Sequence, residues 1–280
     1  MVEITERNTK SVEELTFADD FMFGAVMNDA DICAQVIGRL LGITVDCIEY
    51  PELQKQIRPL YMQRGIRLDV YTRDRSHVYD IEIQTYRESC IGKRARYYQS
   101  LIDMNALLQG EPYSALKESY VIFLCMDDPF GKGLPVYTFD RVCREDGRTE
   151  FCDMAHHKVY NASAASSEVD EGIRSFLEYL YSNSVGDELT RRIADMVETK
   201  KFEQTFLNEY MAWKLHDYDV IQRGRVEGFA DGRLESLRSL MANLSLTEDQ
   251  AMDALGVPAE ERVAYHKLLA GEQKNVSEFH

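Results

Sequence analysis

Asp69, Glu82 and Gln84 are the side chains of this 280-residue chain whose types and spacing best suit chemistry. They lie in Gly65-Ile-Arg-Leu-Asp-Val-Tyr-Thr-Arg-Asp-Arg-Ser-His-Val-Tyr-Asp-Ile-Glu-Ile-Gln84, where apolar and polar residues alternate on either side of a polar turn. Successive side chains of a strand point to opposite faces. Ile66, Leu68 and Val70 therefore share one face, and Arg67, Asp69 and Tyr71 the other. In the second run Tyr79, Ile81 and Ile83 oppose Asp80, Glu82 and Gln84. A two-residue loop at Arg75-Ser76 pairs Asp74 with His77 and carries the register back to Asp69 opposite Glu82. Two carboxylates then stand about 5 Å apart at Cβ, with an amide one pleat further on. Like charges that close need a cation or a shared proton, and a hard divalent metal meets the need. The competing reading is an antiparallel sheet with one wetted face, on which the acids and the amide meet only water.

The elements that must position this hairpin follow from the pattern on either side. Thr16 to Leu41 reads as one or two helices, with Val26, Ile32, Val36, Ile37, Leu40 and Leu41 in a buried stripe. A strand is expected at Gln54 to Gln63, where Pro59 confines it to an edge or a bulge. A helix from about Cys90 to Leu108 brings Arg94, Tyr97 and Tyr98 near one face, with Leu101 and Met104 among its packing positions. Tyr120 to Met126 is a continuous apolar run ended by Asp127-Asp128-Pro129, as in a strand buried on both faces. Further strands are expected at Leu134 to Phe139 and His157 to Asn161.

Asp69, the turn and Glu82-Ile83-Gln84 resemble the catalytic signature of the PD-(D/E)XK nucleases. The closer resemblance is to the branch of PD-(D/E)XK family transposases and recombination-promoting nucleases, in which Gln often takes the third position. Asp19-Asp20-Phe21-Met22-Phe23 resembles that branch's opening helix. Arg94-Ala-Arg-Tyr-Tyr98, Gly110-Glu-Pro-Tyr113 and Tyr120 to Cys125 resemble its later segments, so the likeness runs from about Leu15 to Asn161. It implies an α/β fold with a restriction-endonuclease-like core: helix, three strands, helix, strand, around a mixed central sheet, with a helical C-terminal extension. It also implies a metal-dependent DNA endonuclease, with a link to DNA mobility or recombination. Asp69, Glu82 and the Ile83 carbonyl would hold Mg²⁺ or Mn²⁺, and Asp20 would add an acid, Asp19 being an equal candidate that, like Asp20, could instead cap the helix. Gln84 stands where most of the superfamily has Lys; it brings an amide that can orient water or phosphate but no charge. Arg94 and Arg67 are the expected phosphate contacts. A binding module that keeps the fold without the activity, and a nuclease acting on RNA, are the alternatives.

Charge bears on that expectation from both sides. The formal net charge is −16, which repels nucleic acid at long range. Residues 54–100, however, carry +5 against −21 for the rest, so the basic excess surrounds the expected site. An ordinary salt-bridged surface is the alternative. Hydrophobic residues at 45% and charged residues at 29% are those of a soluble globular protein. There is no run of about 18 apolar residues for a membrane span and no basic-then-apolar leader at the start of this sequence, so no membrane contact and a cytoplasmic location are expected. The six cysteines are scattered with no C-x-x-C pair, which predicts thiols. Cys152-Asp-Met-Ala-His-His157 invites a zinc reading but lacks a partner cluster at ligand spacing.

Beyond Ser163 the character changes. Asn161 to Ser167 reads as a small-residue linker, and helices are expected at about Glu168 to Ser182, Glu188 to Lys200 and Phe202 to Leu215. Gly224, Gly228 and Gly232 recur every four residues. They permit close approach of another helix, hence a homodimer through the C-terminal region, or mark a low-complexity connector. Leu244 to Leu269 reads as two short helices, with Thr247 and Gln250 as a capping box, Gly256 as a stop and Pro258 at N1. The expected division is a core at 1–165, a helical extension packed on it at 166–220, and a connector with a two-helix tail at 221–280.

Overall fold

The computed structural model describes residues 10–45, 48, 52–57, 66–87 and 89–271, with side chains except those of 52–57, 66, 67 and 220. Two short helices come first, α1 (Asp20–Met27) and α2 (Ala30–Leu41). Asp29 separates them: its carboxylate accepts the Asp31 and Ile32 N–H groups and starts α2. Gly42 ends α2 at φ +69°, a conformation that costs glycine little. The buried stripe of α2 is Ile32, Cys33, Val36, Ile37 and Leu40.

Six strands follow among the described residues, β1 (Glu52–Ile57), β2 (Ile66–Arg73), β3 (His77–Gln84), β4 (Glu118–Cys125), β5 (Val136–Phe139) and β6 (Ala155–Asn161). Their order in the sheet is β1-β2-β3-β4-β6-β5. β3, β4 and β6 run parallel, while β1, β2 and β5 pair antiparallel with their neighbours, so the sheet is open and mixed and the class is α/β. The link from β3 to its parallel neighbour β4 is α3 (Ile91–Ala106), the long crossover that parallel pairing requires. The expected extension of β1 beyond Ile57, with Pro59, lies outside the described residues, as does Cys47.

Parity divides the sheet. Val78 on β3, Val121, Phe123 and Cys125 on β4, Val159 on β6 and Tyr137 on β5 pack with Ile91, Ala95, Tyr98, Leu101 and Ile102 of α3. Tyr160, next to Val159 and so on the opposite face, gives its hydroxyl to the Leu40 carbonyl of α2. The sheet thus lies between α3 and the N-terminal helices. Tyr120–Cys125 is buried on both sides apart from the half-exposed Tyr120, as its apolar run predicts.

The presumed linker at 161–167 is instead a 3-10 turn (Ala162–Ser167) with Ala162 and Ala165 buried; its small side chains allow close packing beside α4 (Glu171–Ser182). Asp170 caps α4, and a capping box of Asp187 and Thr190 starts α5 (Glu188–Phe202). Arg39 of α2 bonds Asp187 at 2.5 Å and ties the two helices. Asn161 to Leu207 belongs to the same compact unit as the sheet, which spans Lys10–Leu207.

The second unit begins at Asn208. Its long element is α6 (Gln204–Leu244), which continues through the expected end at Leu215 and through all three glycines. The connector expected there is corrected to helix interior. Each glycine costs about 1 kcal/mol of helix propensity relative to Ala, and Arg, Glu, Leu and Ala neighbours outweigh that. α7 (Glu248–Ala254) and α8 (Ala259–Leu269) bury Met252, Val257, Tyr265 and Leu268 together with Ala230 and Leu237 of α6. Thr247 and Gln250 form the capping box, and Gly256 has φ +61°. Pro258 occupies the N-cap, one place before the expected N1. No helix among the described residues is long and apolar enough to cross a membrane.

Candidate metal and phosphate site

The β2–β3 hairpin has the register that the alternation predicts. Arg73 pairs with Val78, Thr72 with Tyr79, Tyr71 with Asp80 and Val70 with Ile81. The Asp74 N–H reaches the His77 carbonyl, closing a two-residue loop at Arg75 and Ser76. Asp74 pins that loop by accepting the Ser76 and His77 N–H groups, each at 2.7 Å, and the Tyr79 hydroxyl at 2.8 Å.

One step past Val70 and Ile81, Asp69 and Glu82 interlock. The Asp69 N–H donates to Glu82 Oε1 at 2.9 Å, and the Ile83 N–H donates to Asp69 Oδ2 at 3.2 Å. Each carboxylate is therefore oriented by the other's strand.

Their face is not wetted. Glu82 and Asp80 are 0% exposed and Gln84 3%, beneath α3, which excludes the solvated-sheet reading. Arg94, one turn into α3, descends on them. Its Nη2 donates to Glu82 Oε2 at 2.7 Å, its Nη1 to Gln84 Oε1 at 2.5 Å and its Nε to the Tyr98 hydroxyl at 2.8 Å. The guanidinium also lies 5.1 Å from the Tyr98 ring centroid and 5.4 Å from that of Phe123, within cation–π range.

Asp80 stands apart from this network. It shares the face of Glu82 and Gln84, yet among the described residues no N–H or hydroxyl donates to either carboxyl oxygen. The Glu82 carboxyl is close enough to share a proton with it. Period-2 parity already placed Asp80 on this face; that it lacks such a donor is a tertiary fact.

The electrostatics follow from burial and crowding. Burial, then the charges of Glu82 and Asp20, push the Asp69 carboxyl well above the usual range, against the Ile83 N–H and Arg94. Asp80 is raised in the same way, by burial and then by Glu82 and Asp69. Glu82 is raised by burial, with Arg94 opposing. Burial works against the charge on Arg94, but Glu82 outweighs it and the guanidinium stays protonated.

The remaining expected residues are placed as follows. Asp20 opens α1 and its charge is felt at Asp69. Asp19 is engaged locally, accepting from the Thr16 N–H and hydroxyl and pairing with Lys10 at 2.6 Å. Ile83 is in β3, and Arg94 is bonded to Glu82 instead of projecting toward a phosphate. Arg67 lies in β2, its side chain outside the described residues. Tyr98 packs in the core, and Tyr97 packs against it. Arg73, Arg75, Arg87, Lys93 and Arg96 are exposed; Arg87 and Lys93 flank the end of β3 that carries Gln84.

The donor chemistry suits a hard divalent cation: Asp69, Asp80 and Glu82 all offer oxygen ligands, and among the described residues Arg94 is bonded to Glu82 alone of the three. Among the described residues no group of three or more His, Cys, Asp or Glu side chains is arranged to hold a metal ion. At the other end of the sheet, His156 is bonded to Asp140 and Glu118, each at 3.0 Å, and Cys152 is exposed. Comparison with protein-family models, with curated proteins and with solved structures finds no match to this chain.

Proposed function

We propose that this chain is a metal-dependent nuclease of the PD-(D/E)XK type, hydrolysing phosphodiester bonds in DNA, with DNA mobility or recombination as its setting. The observation that carries the reading is the pair Asp69 and Glu82, interlocked across an antiparallel hairpin with Gln84 beside them. The order α1/α2, β1, β2, β3, α3, β4 supports it, being the element order of the restriction-endonuclease-like core.

Asp69, Glu82 and the Ile83 carbonyl would hold Mg²⁺ or Mn²⁺, which supplies a polarised phosphate and a bound water of lowered pKa. The Asp69 N–H keeps Glu82 turned toward Asp69, so the pair is oriented before any ion arrives. Gln84 gives its carbonyl oxygen to Arg94, which leaves its NH₂ as the end that donates to water or to a phosphate oxygen. Arg94, released from Glu82, is the nearest cation for a phosphate at this place. Exposed Arg87 and Lys93 add positive charge for the backbone of a nucleic acid.

The Arg94–Glu82 pair favours one second reading, a module that binds DNA or protein through this fold without cutting. Cleavage of plasmid DNA by purified protein in Mg²⁺, Mn²⁺ or EDTA separates the two, run beside folded Asp69→Ala and Glu82→Ala. Metal-dependent nicking or linearisation lost in both variants is expected. DNA bound but uncut, or equal cleavage by all three proteins, refutes the nuclease. Competition by RNA identifies which nucleic acid is the substrate.

A further inference from the structure

We propose that Asp80 is a third carboxylate ligand, so that the site is a three-carboxylate centre for one hard divalent cation. The inference rests on the metal-dependent reading above and adds a residue to it.

Asp80 is enclosed by the fold. Its side chain is 0% exposed, and among the described residues no N–H or hydroxyl donates to either oxygen. A buried polar group left unsatisfied costs about 1–3 kcal/mol, and more when it is charged. Such a group in a folded protein calls for an ion, a water or a role. Position selects the ion. Asp80 stands two residues before Glu82 on the same face of β3 and opposite Tyr71, two residues beyond Asp69 on β2. All three carboxylates act on one another electrostatically.

Charge points the same way. Among the described residues Arg94 is the cation bonded within this cluster, and it reaches Glu82 and neither Asp69 nor Asp80. A divalent cation would supply the positive charge those two carboxyls lack there. Arg94 holds the cation's place on Glu82 as the site stands; an ion competes with the guanidinium, and Asp80 is the carboxyl to which no N–H or hydroxyl among the described residues donates. Hard oxygen donors select Mg²⁺ or Mn²⁺ over softer metals.

The test is Mn²⁺ binding alone, by calorimetry and by the electron paramagnetic resonance of free Mn²⁺, on the full chain. Wild type, Asp80→Asn, Asp80→Ser and Glu82→Gln are compared, with circular dichroism confirming folding. Wild type is expected to bind one ion, and Asp80→Asn and Asp80→Ser to bind it at least ~10-fold more weakly, the range seen when metal-site residues are changed. Melting in EDTA separates a ligand from a structural acid. As a ligand, Asp80→Asn loses the rise in Tm given by Mn²⁺ without a lower Tm in EDTA. Binding within about 2-fold of wild type in both Asp80 variants, with Glu82→Gln impaired, overturns the inference and leaves the nuclease reading intact; it would mean that a buried water serves Asp80. Binding that depends on Asp80 in a protein that cuts no DNA supports the inference while the nuclease reading falls. No Mn²⁺ bound by wild type overturns both.

Discussion

Replacing Arg94 by Met removes the cation of the buried site while keeping an unbranched apolar stem in its place. The structure sets the scale. Glu82 is fully buried, and with Arg94 gone it keeps the Asp69 N–H at 2.9 Å but loses its bonded cation. Breaking one partner out of a buried pair costs about 3–5 kcal/mol, because the surviving charge is stranded. The lost contacts with the Tyr98 and Phe123 rings add to this, each worth roughly 0.5–1 kcal/mol or more. At pH 7.5 in EDTA, Arg94→Met should therefore lose about 3–5 kcal/mol of stability. The loss must depend on pH. The folded pKa of Glu82 is raised, and taking away Arg94 raises it further. A raised carboxyl destabilises once pH exceeds its unfolded value, near 4.3, and progressively until pH passes the folded one. The Arg94→Met penalty should thus be largest at pH 8 and should shrink as pH falls toward about 4.3, where Glu82 is protonated folded or unfolded. Glu82→Gln combined with Arg94→Met leaves a neutral pair and should recover most of the loss, a coupling of at least about 2 kcal/mol. Urea unfolding should be followed by far-ultraviolet circular dichroism, because the single tryptophan, Trp213, lies in the other unit. A penalty below about 1 kcal/mol, a penalty independent of pH, or single effects that simply add would refute this account of the site.

Other perturbations test other parts of the chain. Asp74→Ala removes the bonds from the Ser76 and His77 N–H groups, the His77 ring and the Tyr79 hydroxyl, and should cost about 2–3 kcal/mol at neutral pH. Although burial opposes it, donation from Ser76, His77 and Tyr79 lowers the Asp74 pKa; this stability is present above about pH 3.9 and is lost as pH falls through the lowered value, so the difference from wild type should vanish in acid. A Cβ added at Gly224, Gly228 or Gly232 would meet nothing within 4 Å, so Ala at each should stabilise the C-terminal unit by about 0.4–1 kcal/mol, seen as a higher Tm by Trp213 fluorescence. Destabilisation there would mean that something packs on that face. Arg233→Met strands Glu261, 5% exposed and bonded to Arg233 at 2.6 Å, and should lower the same Tm by the equivalent of about 3 kcal/mol.

What the sequence determined by itself was local. Alternation with period 2 and a two-residue polar turn specify the hairpin register, so the neighbouring positions of Asp69 and Glu82 were legible before any packing was known. The helix start at Thr247 was legible for the same reason, since a capping side chain reaches only two or three residues along the chain, whereas α4, expected from about Glu168, is capped by Asp170 and begins at Glu171. Tertiary structure decided everything that depends on what covers a face. Alternation is the same for a wetted face and a roofed one; α3, crossing from β3 to β4, makes this one buried. That roof turns Arg94 from an expected phosphate contact into the partner of Glu82, and it leaves Asp80 enclosed without an N–H or hydroxyl donor among the described residues. The glycines of α6 mark the converse limit: a residue that weakens a helix does not end one when its neighbours and a packed far segment sustain it. Spacing along the chain sets which side chains are neighbours, and the dielectric around them, which only the packed fold supplies, sets what those neighbours can do.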